Sequence, residues 1–105
     1  MTAFKTLVAG LSLFVAFSAL AKDVVIDVRT EQEFQGGHVE GAINIPHTAI
    51  GQDISKAQAS KDDHVILYCQ SGRRSGLALE TLKSMGFSRA ENYGGIEQAK
   101  LKLKK

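Results

Sequence analysis

The stretch that decides the fold is "HVILYCQSGRRSGLALETLKSMG", residues 64–86. Val65 to Tyr68 form an unbroken apolar run, which predicts a strand buried on both faces. From Arg73 to Met85 the apolar residues recur three and four positions apart, which predicts a helix that Gly86 ends. The stretch therefore predicts a buried strand, a short polar loop and a helix.

The alternation of strands and helices continues on both sides of this unit. Further strands are predicted in "DVVIDV" (23–28), "AINIP" (42–46) and "AENYGG" (90–95). Further helices are predicted after the capping box Thr30-Glu31-Gln32-Glu33, in "HTAIGQDI" (47–54) and in "IEQAKLKLK" (96–104). This order predicts an α/β fold of three layers, with a parallel sheet of four to five strands and helices on both faces.

The N-terminal segment, positions 1–21, is predicted to form a cleavable signal peptide. Lys5 precedes the apolar and small residues "LVAGLSLFVAFSAL" (7–20), and Ala19-Leu20-Ala21 fits a small-x-small cleavage site. The run is shorter than the roughly 20 apolar residues that span a bilayer, so we expect no stable membrane association. The mature domain then occupies positions 22–105, and we expect it to be exported across the membrane.

The charges of the predicted mature domain are almost balanced. Without Lys5, 12 basic residues remain against 11 acidic ones, a formal net charge of +1. Nucleic-acid-binding domains need a strongly basic face, so this class is not predicted. One cysteine and three scattered histidines lack metal-ligand spacing, and no cofactor is expected. A single cysteine forms no internal disulfide, and we expect a monomer stabilised by packing alone.

The single cysteine, Cys69, falls at the predicted carboxyl end of the strongest strand, where open parallel sheets bind their ligands. The loop from there into the helix consists of Gln70, Ser71, Gly72, Arg73 and Arg74. Free N–H groups at the start of a helix favour an anion, and guanidinium groups suit oxyanions. The same features predict an exposed thiol with a lowered pKa, and hence a nucleophile. The structural alternative is a small, buried, unreactive cysteine.

Three segments of the chain resemble rhodanese domains and occur in the order typical of that family. They are "IDVRTEQEFQGGHVEGAINIP" (26–46), "CQSGRRS" (69–75), which fits the loop pattern C-x-x-G-x-R-[ST], and "ENYGGIE" (91–97). With its predicted leader and short domain, the chain is most similar to the periplasmic phage-shock-type rhodaneses. The resemblance implies a rhodanese fold over residues 22–105.

The resemblance also implies an activity, that of a thiosulfate sulfurtransferase. Cys69 would take the outer sulfur of thiosulfate, release sulfite and pass the sulfur from a persulfide to cyanide or a thiol acceptor. Arg74 matches the arginine of the family's loop, whereas Arg73 stands at a variable position. The residues expected to bind the donor are Arg74, Arg73, Gln70, Ser71 and Gly72, and those expected to support the site are Asp27, Arg29 and Ser75.

Four residues of the first segment allow a catalytic interpretation or a structural one. They are Asp27, Arg29, Glu33 and His38. Local capping and pairing already account for them, so we expect an Asp27–Arg29 pair, a helix-capping Glu33, and structural or exposed roles for His38 and His64.

The chain departs from the family pattern in two places. Most rhodanese domains carry another strand and helix before the segment that begins at Ile26, and many carry a tryptophan where Ala99 stands. We therefore expect a smaller core and a more open active site than in the rest of the family.

Two other functions share the same loop. Cysteine phosphatases and arsenate reductases place their arginine six residues after the cysteine, but here Ser75 holds that position and Arg74 comes one residue earlier. The shorter loop favours a sulfur atom over a phosphoryl group. A non-catalytic sulfur carrier or thiol module would use the same Cys69 with a protein partner, and the sequence does not separate it from the enzyme.

Overall fold

The structure, a computed structural model, describes residues 21–104, in which strands and helices alternate. The strands are β1 (Asp23–Asp27), β2 (Ile43–Asn44), β3 (His64–Cys69) and β4 (Glu91–Gly95). The helices are α1 (Glu31–Gln35), α2 (Ile50–Asp53), α3 (Arg73–Ser84) and α4 (Ile96–Leu103), and 3-10 turns at His47–Ala49 and Ile54–Ala57 flank α2. The predicted signal peptide lies outside the described residues except for Ala21. No helix within residues 21–104 is long and apolar enough to cross a bilayer.

The four strands form one parallel sheet in the order β2-β1-β3-β4. The two central strands pair along their length, from Asp23 opposite His64 to Asp27 opposite Tyr68. Their carboxyl ends therefore lie side by side at one edge of the sheet, and residues 27–29 and 69–72 meet there. The predicted parallel α/β architecture is confirmed, with four strands.

Successive side chains of β3 point to opposite faces of the sheet, and each face has its own apolar core. Toward one face, Val65, Leu67 and Cys69 pack in a cluster with α3 residues Ala78 and Leu82. Toward the other face, the ring of Tyr68 packs with α4 residues Ile96 and Ala99. The sheet is therefore covered by helices on both faces, as the sequence predicted.

Two helix ends follow the local signals in the sequence. At the start of α1, Thr30 Oγ1 accepts a hydrogen bond from the Glu33 N–H at 3.2 Å, and the Glu33 carboxylate accepts from the Thr30 N–H at 3.0 Å. After α3, Gly86 adopts a positive φ of 100°, and the Phe87 N–H returns to the Leu82 carbonyl at 3.0 Å. The predicted capping box and the predicted glycine stop are both confirmed.

The region between β2 and β3 is more helical than the sequence predicted. The helical turns begin at His47 as expected but continue to Ala57 instead of ending at 54. This segment buries three of its own apolar side chains, those of Ile50, Ile54 and Ala57. Their packing in the core extends the helical turns. The strand predicted over 42–46 shortens to two residues, and Pro46 follows its end.

Candidate active site

Cys69 is the last residue of β3, one of the two central strands of the sheet. Three residues separate it from α3, which starts at Arg73. Gly72 has a positive φ of 98°, a conformation that residues with a side chain rarely adopt, and it turns the chain back toward the sulfur. The loop thus folds over the thiol instead of leading away from it.

Neutral hydrogen-bond donors surround the Cys69 sulfur. The Gly72 N–H donates to Sγ at 3.0 Å, the Ser75 N–H at 3.5 Å and the Ser75 hydroxyl at 3.4 Å. A thiol is a weak acceptor, whereas a thiolate is a strong one. The arrangement therefore favours the negatively charged form of the sulfur.

Two opposing effects set the pKa of this thiol. Burial raises the pKa, because it penalises the charged form, but the hydrogen bonds from the Ser75 hydroxyl and from the backbone N–H groups of Ser75, Ser71 and Gly72 outweigh it. The pKa of Cys69 lies below its ordinary value as a result. The predicted lowering is confirmed, but its largest sources are neutral donors, not the arginine charges that the sequence indicated.

The expectation of an exposed cysteine is wrong. Cys69 is 0% exposed. Its burial differs from that of a core cysteine packed only by apolar atoms, because donors from Gly72 and Ser75 point at its sulfur. The physical reason is the short loop, whose backbone covers the sulfur while it directs its N–H groups inward.

A glycine pair at the end of β4, Gly94 and Gly95, holds this loop in place. A Cβ atom on Gly95 would lie 2.5 Å from the Gln70 carbonyl oxygen, although the φ of Gly95 is an ordinary −79°. A Cβ atom on Gly72 would lie 3.2 Å from the Gly94 Cα. Two backbone segments therefore approach more closely than residues with side chains allow, and the loop packs directly against the β4–α4 turn.

Arg74 forms a bidentate ion pair with Glu33 of α1. Its Nη1 atom lies 2.7 Å from Glu33 Oε1 and its Nη2 atom 3.0 Å from Oε2. The hydrogen bond from Arg74, followed by that from the Thr30 N–H, lowers the pKa of Glu33 to about 2. Glu33 thus caps α1 as expected and also neutralises Arg74, a contact between distant parts of the chain that the sequence patterns did not predict.

The other residues predicted to bind the donor lie around the same loop. Arg73 is exposed, and among residues 21–104 no carboxylate lies within ion-pair distance of it. Ser71 is exposed as well, and Gln70 turns its side-chain oxygen toward Arg29 Nη1 at 3.4 Å. The structure therefore brings all five predicted residues together but leaves Arg73 as the unpaired guanidinium of the loop.

The predicted Asp27–Arg29 pair is confirmed and lies under the same edge of the sheet. The Arg29 Nε and Nη2 atoms bond both Asp27 oxygens at 2.7–3.1 Å, and both residues are buried. Arg29 also donates to the Gly37 carbonyl at 2.7 Å. Asn44, which the sequence did not single out, donates to the Asp27 and Arg29 carbonyls at 3.0 Å. The pair fixes the end of β1. The buried carboxylate of Asp27 and the buried guanidinium of Arg29 neutralise each other.

Comparison with known proteins places the chain in one family. The Rhodanese-like domain family matches residues 16–102. This chain is a member of the rhodanese family. It is 40% identical over 94 residues to thiosulfate sulfurtransferase PspE of Escherichia coli, which covers 90% of each chain. It is 32% identical over 83 residues to human thiosulfate:glutathione sulfurtransferase, over 68% of this chain and 72% of that one.

A solved rhodanese structure has the same fold. A rhodanese with anions from E. coli superposes with a TM-score of 0.69 at 43% identity, over 72% of this chain and 89% of that one. The predicted rhodanese fold is confirmed, and so is the prediction of a rhodanese-class enzyme.

Two histidines of this rhodanese, His38 and His64, were predicted to have structural or exposed roles. His38 is exposed and stacks on Phe34, with ring centroids 3.6 Å apart. His64 begins β3, at the strand end opposite Cys69, between Asp23 and Glu91. The structural or exposed roles predicted for them are confirmed. Within residues 21–104 no group of three or more His, Cys, Asp or Glu side chains gathers as a metal site would require.

The rhodanese motifs did not indicate Asn92, which links the loop to β4. Its Oδ1 atom lies 2.7 Å from Ser75 Oγ and 2.8 Å from the Gly94 N–H, and its Nδ2 atom donates to the Gly72 carbonyl at 3.0 Å. Asparagine is depleted in strands, so its place inside "ENYGG" was a signal in the sequence. Ser75 is thereby held from two sides, by the sulfur and by Asn92.

Proposed function

We propose that the chain is a thiosulfate sulfurtransferase that carries the transferred sulfur as a persulfide on Cys69. The observation that carries this proposal is the set of neutral N–H and O–H donors, the nearest 3.0 Å away, around a sulfur whose pKa is lowered. The two relatives named as thiosulfate sulfurtransferase and thiosulfate:glutathione sulfurtransferase support the choice of donor.

In the first step the Cys69 thiolate attacks the outer sulfur of thiosulfate. A bond forms between Sγ and that sulfur, the S–S bond of thiosulfate breaks, and sulfite leaves with the bonding electron pair. The enzyme is left with a cysteine persulfide. The Gly72 and Ser75 donors stabilise the thiolate before attack without holding a fixed cation on it.

In the second step a thiophilic acceptor, cyanide or a thiolate, attacks the outer sulfur of the persulfide. The new bond forms on the acceptor, the Sγ–S bond breaks, and Cys69 leaves as a thiolate. Because its pKa is lowered, Cys69 is a better leaving group in this step than an ordinary thiol. The same donors therefore assist both half-reactions, since each passes through the thiolate.

The buried sulfur requires the loop to move before a donor reaches it. Cys69 is 0% exposed, and the backbone of residues 70–72 covers it. Two of the three glycines at this contact, Gly72 and Gly94, have positive φ values. We infer that displacement of the loop admits the anion and that its return excludes water from the persulfide.

The arginines divide the anion-binding role unequally. Arg73 presents an exposed guanidinium at the start of α3, where the helix dipole also favours an anion. Arg74 is half-buried and already pairs with Glu33. The incoming thiosulfate dianion thus contacts Arg73 first. It binds Arg74 only where it displaces the Glu33 carboxylate from that guanidinium.

We propose further that the enzyme is exported to the periplasm as a monomer after cleavage behind Ala21, without stable membrane association. The alignment with the E. coli relative covers 90% of this chain, which is more than positions 22–105 alone make up. The likeness thus extends into the predicted signal peptide, which supports a shared leader.

The activity is tested by steady-state assays with thiosulfate and cyanide. We expect repeated turnover by the native chain and none by Cys69→Ser, which keeps the fold and a hydrogen-bonding side chain but lacks the thiolate. Thermal unfolding of both proteins controls for folding. Hydrolysis of p-nitrophenyl phosphate without thiosulfate turnover would contradict the proposal, and a single loading of sulfur without release would identify a carrier.

The competition between Glu33 and the substrate is tested by Glu33→Gln. This change removes the carboxylate that neutralises Arg74, so we expect the KM for thiosulfate to fall about two- to fivefold. Glu31→Gln is the matched control, because Glu31 lies on the same helix and bonds Gln35 instead of the loop. A rise in KM for Glu33→Gln would contradict this role.

Arg74→Ala should reduce kcat/KM more than Arg73→Ala. It removes a guanidinium from the loop and also leaves the Glu33 carboxylate unpaired beside the anion site. The assay compares kcat/KM for the two single variants at constant ionic strength. The reverse order would assign donor binding to Arg73 alone.

Export and sulfur loading are tested by the intact mass of protein taken from the periplasm without reductant. We expect a chain that begins at Lys22, with a fraction heavier by the mass of one sulfur atom. Treatment with cyanide should remove that extra mass and leave the rest of the spectrum unchanged. A full-length chain with an unmodified thiol would contradict both proposals.

A further inference from the structure

The Ser75 hydroxyl lies between two acceptors but has one proton. Its oxygen is 3.4 Å from Cys69 Sγ and 2.7 Å from Asn92 Oδ1. Ser75 is 0% exposed, and these are the two side-chain contacts of its hydroxyl among the described residues. The hydroxyl therefore donates to the sulfur or to Asn92, but not to both at once.

The orientation of the Asn92 amide follows from its backbone partners. The Gly94 N–H is a donor and needs Oδ1 at 2.8 Å, and the Gly72 carbonyl is an acceptor and needs Nδ2 at 3.0 Å. The atom that faces Ser75 is therefore an oxygen that donates nothing. While the sulfur is neutral, the Ser75 hydroxyl therefore donates to this oxygen at 2.7 Å, which is the shorter of its two contacts.

We propose that Asn92 is a positioning residue that holds the Ser75 proton away from the neutral sulfur and releases it when the sulfur becomes a thiolate. In the neutral form the S–H group donates to Ser75 Oγ, which donates to Asn92. In the thiolate the hydroxyl rotates and donates to Sγ. Asn92 Oδ1 keeps the Gly94 N–H throughout, so this oxygen has a donor in both positions of the hydroxyl.

The proposal rests on the proposed function for its use in the catalytic cycle. The charge on Sγ appears in the free enzyme, leaves as the bond to the outer sulfur forms, and returns when the acceptor takes that sulfur. A hydroxyl that rotates between two acceptors follows this charge without a change in the backbone. A charged acceptor binds a hydroxyl more strongly than a neutral one. The Ser75 hydroxyl therefore turns from Asn92 to the sulfur when the sulfur becomes a thiolate.

Asn92 also anchors the loop through Gly72, and a simple loss of activity would not separate the two roles. A double-mutant cycle does so, because the anchor is present whether or not Ser75 has its hydroxyl. The readout is the thiol pKa, taken from the pH dependence of alkylation by iodoacetamide. Cys69 is the single cysteine of the chain, so the signal has one source.

We expect Ser75→Ala to slow alkylation below the thiol pKa about tenfold, since a hydrogen bond to the thiolate is lost. We compare the change in thiol pKa that Asn92→Ala causes in the native chain with the change that it causes in the Ser75→Ala chain. The first change should be the more negative one, because only the native chain has a hydroxyl that Asn92 can hold. Asn92→Asp keeps the side-chain volume and provides a stronger acceptor. It should therefore raise the thiol pKa more in the native chain than in the Ser75→Ala chain. Equal shifts in both backgrounds would overturn the proposal, and the Asp variant decides it if the Ala variant does not fold.

This outcome is independent of the proposed activity. Alkylation reports the thiol directly, so the cycle gives its result even in a protein that turns over no thiosulfate. Failure of the proposed function would appear as absent turnover with the coupling between Ser75 and Asn92 intact. Failure of the inference would appear as normal turnover with additive pKa shifts.

A second, separate observation concerns the predicted new N-terminus at Lys22. Asp63 is 2% exposed, and its Oδ1 atom accepts a hydrogen bond from the Lys22 backbone N–H at 3.0 Å. Its Oδ2 atom accepts from Lys22 Nζ at 2.9 Å and from the Ser60 N–H at 2.8 Å. The Lys22 carbonyl is fixed as well, by the His64 N–H at 3.0 Å. The backbone nitrogen of Lys22, at the predicted cleavage point, is therefore already hydrogen-bonded to the buried carboxylate of Asp63.

We also propose that cleavage behind Ala21 docks the new α-ammonium group of Lys22 on Asp63 and so stabilises the processed chain. Hydrolysis of the Ala21–Lys22 bond by a peptidase and one water leaves a carboxylate on Ala21 and an ammonium on Lys22. A neutral amide donor thus becomes a charged one at the same 3.0 Å contact. Charge-assisted hydrogen bonds are roughly twice as strong as neutral ones.

Other ionisable groups surround this contact and belong equally to both forms of the chain. They are the ε-ammonium of Lys22, the Asp23–His64 pair, and four residues that line the same cavity as Lys22, namely His38, Glu40, Lys100 and Lys104. Their contributions cancel when two chains that differ only at the N-terminus are compared. All described strands and helices begin at Asp23 or later, so a chain that starts at Lys22 contains them all.

The test compares thermal unfolding of chains that begin at Lys22 and at Ala21. The Asp63 carboxylate raises the α-amino pKa above its unfolded value of about 7.7–8.0, so the extra stability is full below that value and is lost as pH rises through the folded pKa. We expect the Lys22 chain to have a Tm about 4 °C higher at pH 7 and a smaller advantage at pH 9.5. The advantage should vanish in Asp63→Asn. An equal Tm at pH 7, or an advantage that does not change with pH, would overturn the proposal.

Discussion

The rest of the site depends on the contact between two stretches of backbone, the loop after β3 and the glycine pair that ends β4. The Gln70 carbonyl lies where a Cβ atom on Gly95 would stand, and Gly72 lies against Gly94. This approach is available because β3 and β4 are neighbours in the sheet. It closes the loop over Cys69 and turns its N–H groups toward the sulfur, so burial and activation of the thiol have one cause.

The same contact separates two tasks that the sequence had assigned to the arginines together. Neutral dipoles from Ser75, Ser71 and Gly72 stabilise the thiolate, whereas the guanidinium groups lie outside this ring and face Glu33 or solvent. A cation in direct contact with the sulfur would favour the thiolate over the persulfide and oppose reaction. Dipoles stabilise it less strongly, and Arg73 stays available for the anionic donor.

Local signals predicted the parts of the fold that local interactions determine. The apolar run of β3, the glycine after α3 and the Thr30–Glu33 capping box are each decided within a few residues, and each appears where it was predicted. The pairs Arg74–Glu33 and Ser75–Asn92 join residues 41 and 17 positions apart. They exist because the strand order places three strand ends at one edge of the sheet. The hydrophobic periodicity of each strand does not predict the order of the strands in the sheet.

The burial of Cys69 also explains how a lone cysteine suits the exported enzyme proposed above. A disulfide with another protein requires a second sulfur to reach Sγ in line, together with the bulk of its own chain. A thiol with 0% exposure under a short loop is less accessible to such a partner than to a small anion such as thiosulfate or cyanide. Burial therefore disfavours disulfide exchange with other proteins.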